Sequence, residues 1–275
     1  MGVAERVKGY LDRIEDINYL VCILDEVPLS DLFKVLVELL GSSDCDDVAR
    51  VDWFIADVWM RAGRNNAEFK ANMVVAGIPA AYQRAVFARN YVIRRTAVSR
   101  LRMFEEIWWP AAELADALTF LEKNDPLLLP HVIRVQMWRS LWKDWSLPSR
   151  LVEEMDFVVR WSVLGVLDEC CVHFPLPEIE ILTGAKACIS KLQNDENALV
   201  KAEADFLSAT VSYYEIMPTL EKAEKRKRSK AMSKAAPKMR FSHLRDAVGN
   251  GLHALQKTDF TMQELHEIVN VLSKA

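Results

Sequence analysis

The chain has 275 residues, of which 51% are hydrophobic and 27% are charged. This length and apolar content suffice for one large domain or two modest ones, so the fold needs neither a disulfide framework nor a structural metal. The chain contains only nine glycines and ten prolines, and no segment alternates as a strand would. The composition therefore favours helices and excludes a turn-rich all-β protein.

The formal net charge of −4 hides an uneven distribution of charged residues. Residues 222–240, called the basic segment below, contain nine Lys and Arg residues and one Glu. The rest of the chain is consequently acidic, and any binding to polyanions is expected at this segment.

The cysteine content and the first residues of the chain indicate the cellular compartment in which the protein is expected. The five cysteines are an odd number without paired spacing, which favours reduced thiols. Residues 2–16 lack the apolar core of a signal peptide, and no apolar run approaches the roughly 20 residues of a membrane span. We therefore expect a cytoplasmic protein that does not enter a membrane.

Helical periodicity recurs along the first two thirds of the chain. Apolar residues at steps of three or four predict five amphipathic helices. Their stripes are Val48, Val51, Ile55, Val58, Trp59 and Ala62; Ile93, Ala97, Leu101 and Phe104; Leu114, Ala117, Leu118 and Leu121; Ile133, Met137 and Leu141; and Met155, Val159, Val163, Val166 and Cys170.

Short breaks separate these helices. They fall at residues 28–30, 41–44, 63–66, 79, 109–110, 124–126, 146–149 and 175–177, where Pro, Gly, Ser, Asp and Asn concentrate. Links this short predict successive antiparallel helices, as in bundles and solenoids.

A short motif repeats within this region. Four copies share a helix-starting residue, a valine, an apolar residue and an arginine, with a further apolar residue three positions after the arginine. The copies end at Arg50, Arg94, Arg134 and Arg160.

This motif resembles the second helix of a HEAT repeat, over about residues 29 to 172. The resemblance implies an all-α fold, a right-handed superhelix of antiparallel helix pairs, in which neighbouring pairs share one core. It also implies that the four arginines form a structural ladder to carboxylates or carbonyls between repeats. We predict a HEAT-like region at 1–177 and a helical C-terminal region at 178–275.

The C-terminal region keeps the helical pattern without the HEAT motif. Helices are predicted at 179–193 and 197–217, followed by the basic segment and two short helices starting near Ser242 and Thr261. Thr261 and Glu264 have the spacing of a capping box, which predicts the start of the last helix.

Few residues suggest chemistry. Asp168, Glu169, Cys170, Cys171 and His173 form the densest group of potential metal ligands, but a second ligand pair is missing. No nucleophile elbow, phosphate loop or dinucleotide motif occurs. We therefore predict no metal, no cofactor and no catalytic residues.

All eight tryptophans lie between positions 53 and 161. Core packing explains Trp53, Trp59 and Trp142. The alternative is that Trp138, Trp142 and Trp145, which alternate with charged residues near a helix end, form a binding surface, because Trp is enriched at binding hot spots.

The basic segment is the second candidate site, centred on Lys225, Arg226, Lys227 and Arg228. It could contact phosphates or an acidic partner, or it could be a solvated helix or linker. No aromatic residue interrupts it, which removes base stacking. Trp and Arg in one helical-repeat chain also resemble, in kind, the alkylpurine DNA glycosylases made of HEAT-like repeats.

The leading hypothesis is a non-enzymatic scaffold of HEAT-like repeats that binds another protein. The alternative is a nucleic-acid-binding repeat protein, with or without glycosylase-like chemistry, that uses the basic segment.

Overall fold

The computed structural model describes residues 2–13, 23–60, 66–100, 111–173 and 179–273, and the side chains of 111–113 and 169–180 lie outside this description. Across these ranges the regular secondary structure is helical, without strands. The all-α prediction is therefore confirmed. None of the described helices is both long and apolar enough to cross a membrane.

The chain forms two compact units, Met1–Glu113 and Leu114–Ala275. The boundary predicted after residue 177 falls within 174–178, outside the described residues. The helices on either side of that point belong to the second unit and contact each other.

The first unit contains six helices whose bounds are described. They are α1 (Val3–Leu11), α2 (Leu29–Leu40), α3 (Cys45–Val58), α4 (Ala67–Ala76), α5 (Ile78–Ala85) and α6 (Tyr91–Arg100). Helix α2 contacts α1, α3, α4 and α5. It buries Leu32, Phe33 and Leu36, and the Phe33 ring meets the edge of Phe69 at 5.1 Å.

A carboxylate lies in the core of the first unit. Asp52 on α3 is 7% exposed, and its Oδ1 accepts hydrogen bonds from the Tyr82 hydroxyl at 2.8 Å and from Arg100 Nε at 2.7 Å. Arg100 Nη2 donates to Asp52 Oδ2 at 2.8 Å. Burial, followed by the Asp52 charge, raises the pKa of Tyr82 well above its usual value, so the phenol remains a donor. The network joins α3, α5 and α6.

The second unit contains nine described α-helices. They are α7 (Ala111–Asn124, whose first three residues belong to the first unit), α8 (Leu129–Arg139), α9 (Ser146–Leu151), α10 (Phe157–His173), α11 (Ile179–Leu192), α12 (Ala198–Ile216), α13 (Lys222–Ala235), α14 (Phe241–Ala254) and α15 (Met262–Leu272). Short 3₁₀ turns at Pro126–Leu128 and Met217–Thr219 precede α8 and α13.

Helix α10 is the centre of the second unit. It contacts α8, α9, α11, α12 and α14. Every residue from 158 to 164 is buried, and Trp161 is fully buried. A helix enclosed on all sides must be apolar around its circumference, which explains its nearly continuous apolar sequence.

Two of the four repeated arginines make the same contacts. Arg94 Nη1 donates to the carbonyl oxygens of Ala88 and Arg89, six and five residues earlier, at 3.0 and 2.8 Å. Arg160 Nη1 donates to the equivalent oxygens of Glu154 and Met155, both at 2.8 Å. Each guanidinium thus satisfies the turn before its own helix.

The capping residues of these two copies also correspond. Asn90 Oδ1 accepts from the Val92 amide at 2.9 Å, and Asp156 Oδ1 accepts from the Val158 amide at 2.8 Å. The predicted helix-starting role of Asn90 and Asp156 is therefore confirmed, with the arginine four residues after the cap.

The first and third copies are shifted along their helices. In the first copy the cap is Asp44, whose side chain accepts from the Asp46 amide, and Arg50 instead pairs with Asp12 at 2.5 Å. In the third copy α8 already begins at Leu129, so Pro130 lies inside its first turn. The same sequence motif therefore occupies different positions relative to the helix start in these two copies.

Three predicted core positions are wrong. Trp53 is 43% exposed although it lies on α3. Leu141 is 67% exposed because α8 ends at Arg139. Met155 is 96% exposed because it precedes the cap of α10. The predicted break at 146–149 is also wrong, since Ser146–Leu151 forms the short helix α9.

Candidate binding surfaces

An open apolar groove lies between α14 and α15. Its volume is about 450 Å³. Val248, Leu252 and Phe260 are buried in its walls. The remaining lining consists of Ala247, Gly251, Leu255, Lys257, Glu264, Glu267, Ile268, Val271 and Leu272. It is a concave surface with few polar groups, as binding sites for apolar side chains are.

Two aliphatic residues of the groove are exposed to solvent. Leu255 is 71% exposed and Val271 is 69% exposed. A side chain added to Gly251 would meet no atom within 4 Å, so the space above this position is open. Burying an exposed Leu or Val fully is worth about 1.5–3 kcal/mol, which gives a ligand here a favourable contribution.

Charged groups border the groove on the α15 side. Lys257 pairs with Glu264, which also caps α15 through the Thr261 amide at 2.9 Å. Exposed Glu267 accepts a hydrogen bond from Gln263 Nε2 at 3.0 Å. The hydrogen bond from Lys257, followed by that from the Thr261 amide, lowers the pKa of Glu264, so this carboxyl group is negatively charged at neutral pH. Lys257 neutralises one carboxylate, and the groove edge keeps one negative charge.

A buried carboxylate holds α14 against α10 and α12. Glu203 on α12 is 1% exposed, and its Oε2 accepts from the Phe241 amide at 2.8 Å and from Trp161 Nε1. Burial raises the pKa of Glu203 to about 7, although both hydrogen bonds act in the opposite direction. Glu203 thereby caps α14, whose own preceding residue, Arg240, makes no side-chain cap.

Arg240 completes this anchor. Its guanidinium pairs with Asp168 on α10 and lies over the Phe206 ring, 5.0 Å from the centroid. Arg240 is the last basic residue of the basic segment, yet only 18% of its side chain is exposed. It is therefore a packing residue of the second unit.

Helix α15 has its own polar attachment. His266 Nε2 lies 3.0 Å from Asp156 Oδ2, and the His266 ring packs 5.2 Å from the Phe157 ring. The predicted capping box is confirmed, because the Thr261 side chain accepts from the Glu264 amide and Glu264 accepts from the Thr261 amide. The positions of both groove walls are thus set by contacts away from the groove.

The three candidate tryptophans form one aromatic cluster. Trp138 and Trp142 meet at 6.1 Å in an edge-on arrangement, and Trp142 and Trp145 are 6.4 Å apart. Trp142 is 5% exposed, whereas the other two are half-buried. Trp145 Nε1 donates to the Trp142 carbonyl at 3.0 Å, and its ring lies directly on Gly184 of α11.

The backbone at this cluster is strained. Leu141 and Trp142 have φ values of 49° and 61°, in the left-handed region that costs a non-glycine residue about 1–3 kcal/mol. The reversal turns Trp142 inward and leaves Leu141 exposed. These features suit packing of the turn between α8 and α9 against α11, and the binding role of Trp138, Trp142 and Trp145 stays a prediction.

The basic segment contains helix α13. The four candidate residues do not share one face of it. Arg226 and Lys227 are exposed, whereas Lys225 is half-buried, with its carbonyl accepting from the Tyr213 hydroxyl at 3.2 Å. Arg228 pairs with Glu224 at 2.8 Å.

The densest group of potential metal ligands in the sequence, residues 168–173, lies only partly within the described side chains. Asp168 pairs with Arg240, whereas the side chains of residues 169–173 lie outside the described part of the chain. Within the described residues no group of three His, Cys, Asp or Glu side chains could hold a metal ion.

Neither the groove nor the buried carboxylate was predicted from the sequence, although the sequence pattern around Glu203 indicates its burial. Glu203 lies on the same helical face as the buried residues Val200, Ala204, Leu207 and Val211. A carboxylate on an apolar stripe indicates a buried partner. For the groove, only the relative placement of α14 and α15 reveals the site.

The fold and these surfaces define an all-α protein with an apolar groove and a basic helix. Comparison with known proteins adds no family: no family model, no curated protein and no solved structure matches the chain.

Proposed function

We propose that this chain is a non-catalytic, HEAT-like protein-binding module whose α14/α15 groove receives an amphipathic helix of a partner protein. The observation that carries the proposal is the apolar groove with exposed Leu255 and Val271. An amphipathic helix with aliphatic residues three and four apart can fill a groove between two helices. Its apolar ridge would cover both exposed side chains.

The charge at the groove edge favours a partner helix with a basic flank. Lys257 and Glu264 neutralise each other, and Glu267 remains. A Lys or Arg beside the partner's apolar ridge would face this carboxylate, whereas an acidic flank would be repelled.

The lining favours binding over catalysis. Its members are mainly aliphatic, and two of its three charged residues, Lys257 and Glu264, are engaged with each other. An enzyme requires reactive groups that converge on a substrate, and the side chains that line this groove do not include such a set. A cytoplasmic location belongs to the same proposal and rests on the sequence alone.

The HEAT-like assignment is supported by the paired arginines. Arg94 and Arg160 bind the carbonyls before their helices in the same way, and Arg160 also makes two bonds to Asp195, at 2.6 and 2.9 Å. This bidentate contact links α10 to the turn between α11 and α12, as expected of an arginine that joins neighbouring helix pairs.

The test is a pulldown from native lysate with three baits. They are the unaltered chain, a groove variant (Leu255→Asp with Val271→Asp), and a control (Val75→Asp with Met155→Asp). All four altered residues are exposed, so each variant is expected to fold. We expect a protein partner that nuclease treatment does not remove, retained by the unaltered chain and the control but lost from the groove variant.

A direct measurement then examines the partner's chemistry. A synthetic amphipathic helix with leucines three and four apart and a lysine flank is titrated against the full chain by fluorescence anisotropy. A glutamate-flanked version is expected to bind at least tenfold more weakly. Equal capture by all three baits, or loss of the partner on nuclease treatment, would overturn the proposed function.

A further inference from the structure

Helix α13 carries a row of basic side chains along one side. Lys222, Arg226, Lys230 and Lys234 follow one another at four-residue intervals, and all four are exposed. Four residues of helix rise by about 6 Å, so the row extends over about 18 Å. Each cation is a near neighbour of the next.

The row lies opposite the side of α13 that faces the rest of the unit. Glu224, Lys225 and Met232 are the half-buried positions of the helix. At 100° per residue they centre about 160° from the basic row. Helix α13 contacts α12, and the bond from the Tyr213 hydroxyl to the Lys225 carbonyl fixes it there. The row therefore faces away from α12.

Acidic residues of the helix are displaced from the row. Glu224 is engaged by Arg228 on the α12 side. Within the described part of the chain, none of the four row residues forms an ion pair with a carboxylate. Because charges are screened over about 8–10 Å at moderate ionic strength, the acidic remainder of the chain weakens the field of the row only partly.

We propose that this basic row is a second, independent binding surface that takes the sugar-phosphate backbone of a double-stranded nucleic acid without sequence preference. Phosphates succeed one another along a strand at a spacing comparable to that of the four cations. The residues that flank the row include Ala223 and Ser233, which are small enough for a backbone to approach closely. Aromatic residues for base stacking are absent from α13.

Other anionic partners fit this surface less well. The row carries no large apolar residue that could enter a lipid bilayer, which leaves only surface attraction for a membrane. An acidic protein segment would meet four regularly spaced cations without an apolar contact to position it. Nucleic-acid binding needs neither, because backbone contacts supply most of its non-specific affinity.

The experiment uses the full chain and two variants with equal charge loss. The row variant is Arg226→Gln with Lys230→Gln and Lys234→Gln, and the control is Lys225→Gln with Arg228→Gln and Lys238→Gln. Binding to a labelled 30-base-pair duplex of arbitrary sequence is followed by fluorescence anisotropy at several salt concentrations. Poly-L-glutamate and phosphatidylserine vesicles are the competing probes, and circular dichroism checks that both variants keep their helix content.

The row variant and the control variant should differ sharply in their affinity for the duplex. We expect the unaltered chain to bind the duplex with a log–log salt slope of about −3 to −4, since each phosphate contact contributes about −0.9. The row variant should bind at least tenfold more weakly with a slope near −1, and the control should change affinity less than threefold.

Three outcomes would overturn the proposal. Equal losses in the two variants would mean that only net charge matters. Tighter binding to poly-L-glutamate than to the duplex would assign the row to an acidic protein, and tighter binding to the vesicles would assign it to a membrane. The groove is not altered in any of these variants, so none of these outcomes bears on the protein-binding function.

Discussion

At the scale of single residues, buried charged groups decide how helices are held. Asp52, Arg160 and Glu203 all lie in the protein interior, and different contacts offset the cost of burying each charged group. Hydrogen bonds from Arg160 and the Asn197 amide keep the pKa of Asp195 below its usual value despite burial. Glu203 lacks so close a cationic partner, since Arg240 Nε lies 3.7 Å away. Burial therefore has the largest effect on the pKa of Glu203 and raises it.

Glu203 should make stability depend on pH in an unusual direction. Its pKa is about 7 in the folded chain, against a usual 4.5. Between these values the folded state binds more protons than the unfolded state, so the free energy of unfolding falls as pH rises from about 4.5 to 7. The contribution is at most about 3 kcal/mol, and it is lost in full above pH 7.

The comparison that isolates this effect is Glu203→Gln, measured by urea unfolding at pH 5, 6, 7 and 8. The variant should gain stability relative to the unaltered chain as pH rises. Glu38→Gln, at an exposed position of α2, is the control for the effect of charge loss alone. Parallel curves for the unaltered chain and Glu203→Gln would show that the carboxyl is already ionised in the fold.

At the scale of helices, two glycines show how closely neighbouring elements approach. A Cβ on Gly184 of α11 would lie 2.1 Å from Trp145 Cε2, whereas one on Gly251 of α14 would meet nothing. The first glycine permits a ring to lie on a helix backbone. The second belongs to an open groove.

The same substitution should therefore have opposite effects at the two sites. Gly184→Ala should lower the free energy of unfolding by about 1–3 kcal/mol, because the Trp145 ring must move. Gly251→Ala should raise it by up to about 1 kcal/mol, because alanine favours the helix and meets no obstacle. Thermal and urea unfolding measure both. A stabilising Gly184→Ala would mean that Trp145 is not packed against α11.

At the scale of the whole molecule, the chain consists of two compact units. The second unit is organised around α10, which buries Trp161, Val163 and Leu164 completely. It also contains both proposed binding surfaces. Enclosure of a central helix by five others is sufficient for a core of its own.

We expect residues 114–275 to fold without the first unit. The fragment should show a helical far-ultraviolet circular dichroism spectrum and a single cooperative thermal transition. It should also retain duplex binding through the basic row. A helical spectrum without a cooperative transition would mean that the second unit depends on the first for its packing.

Much of the local structure follows from the sequence because the responsible interactions are local. Caps at Asn90, Asp156 and Thr261 and the helices near 179–193 and 197–217 depend on residues within a few positions of one another. A capping bond or an apolar stripe is complete within one or two turns. Such features were predicted correctly.

Which apolar stripes are covered and which charged groups are buried depends on contacts between helices that are distant in sequence. Trp53 lies on a helix yet is 43% exposed, Leu141 leaves the core because α8 ends two residues earlier, and Glu203 is buried by helices α10 and α14. The block Lys225 to Arg228 is continuous in sequence, but the helix divides it between two faces. The helices, their caps and the basic charge follow from the amino-acid sequence alone. Packing determined the groove, the buried carboxylate and the direction of the basic row, because each depends on residues that meet only in three dimensions.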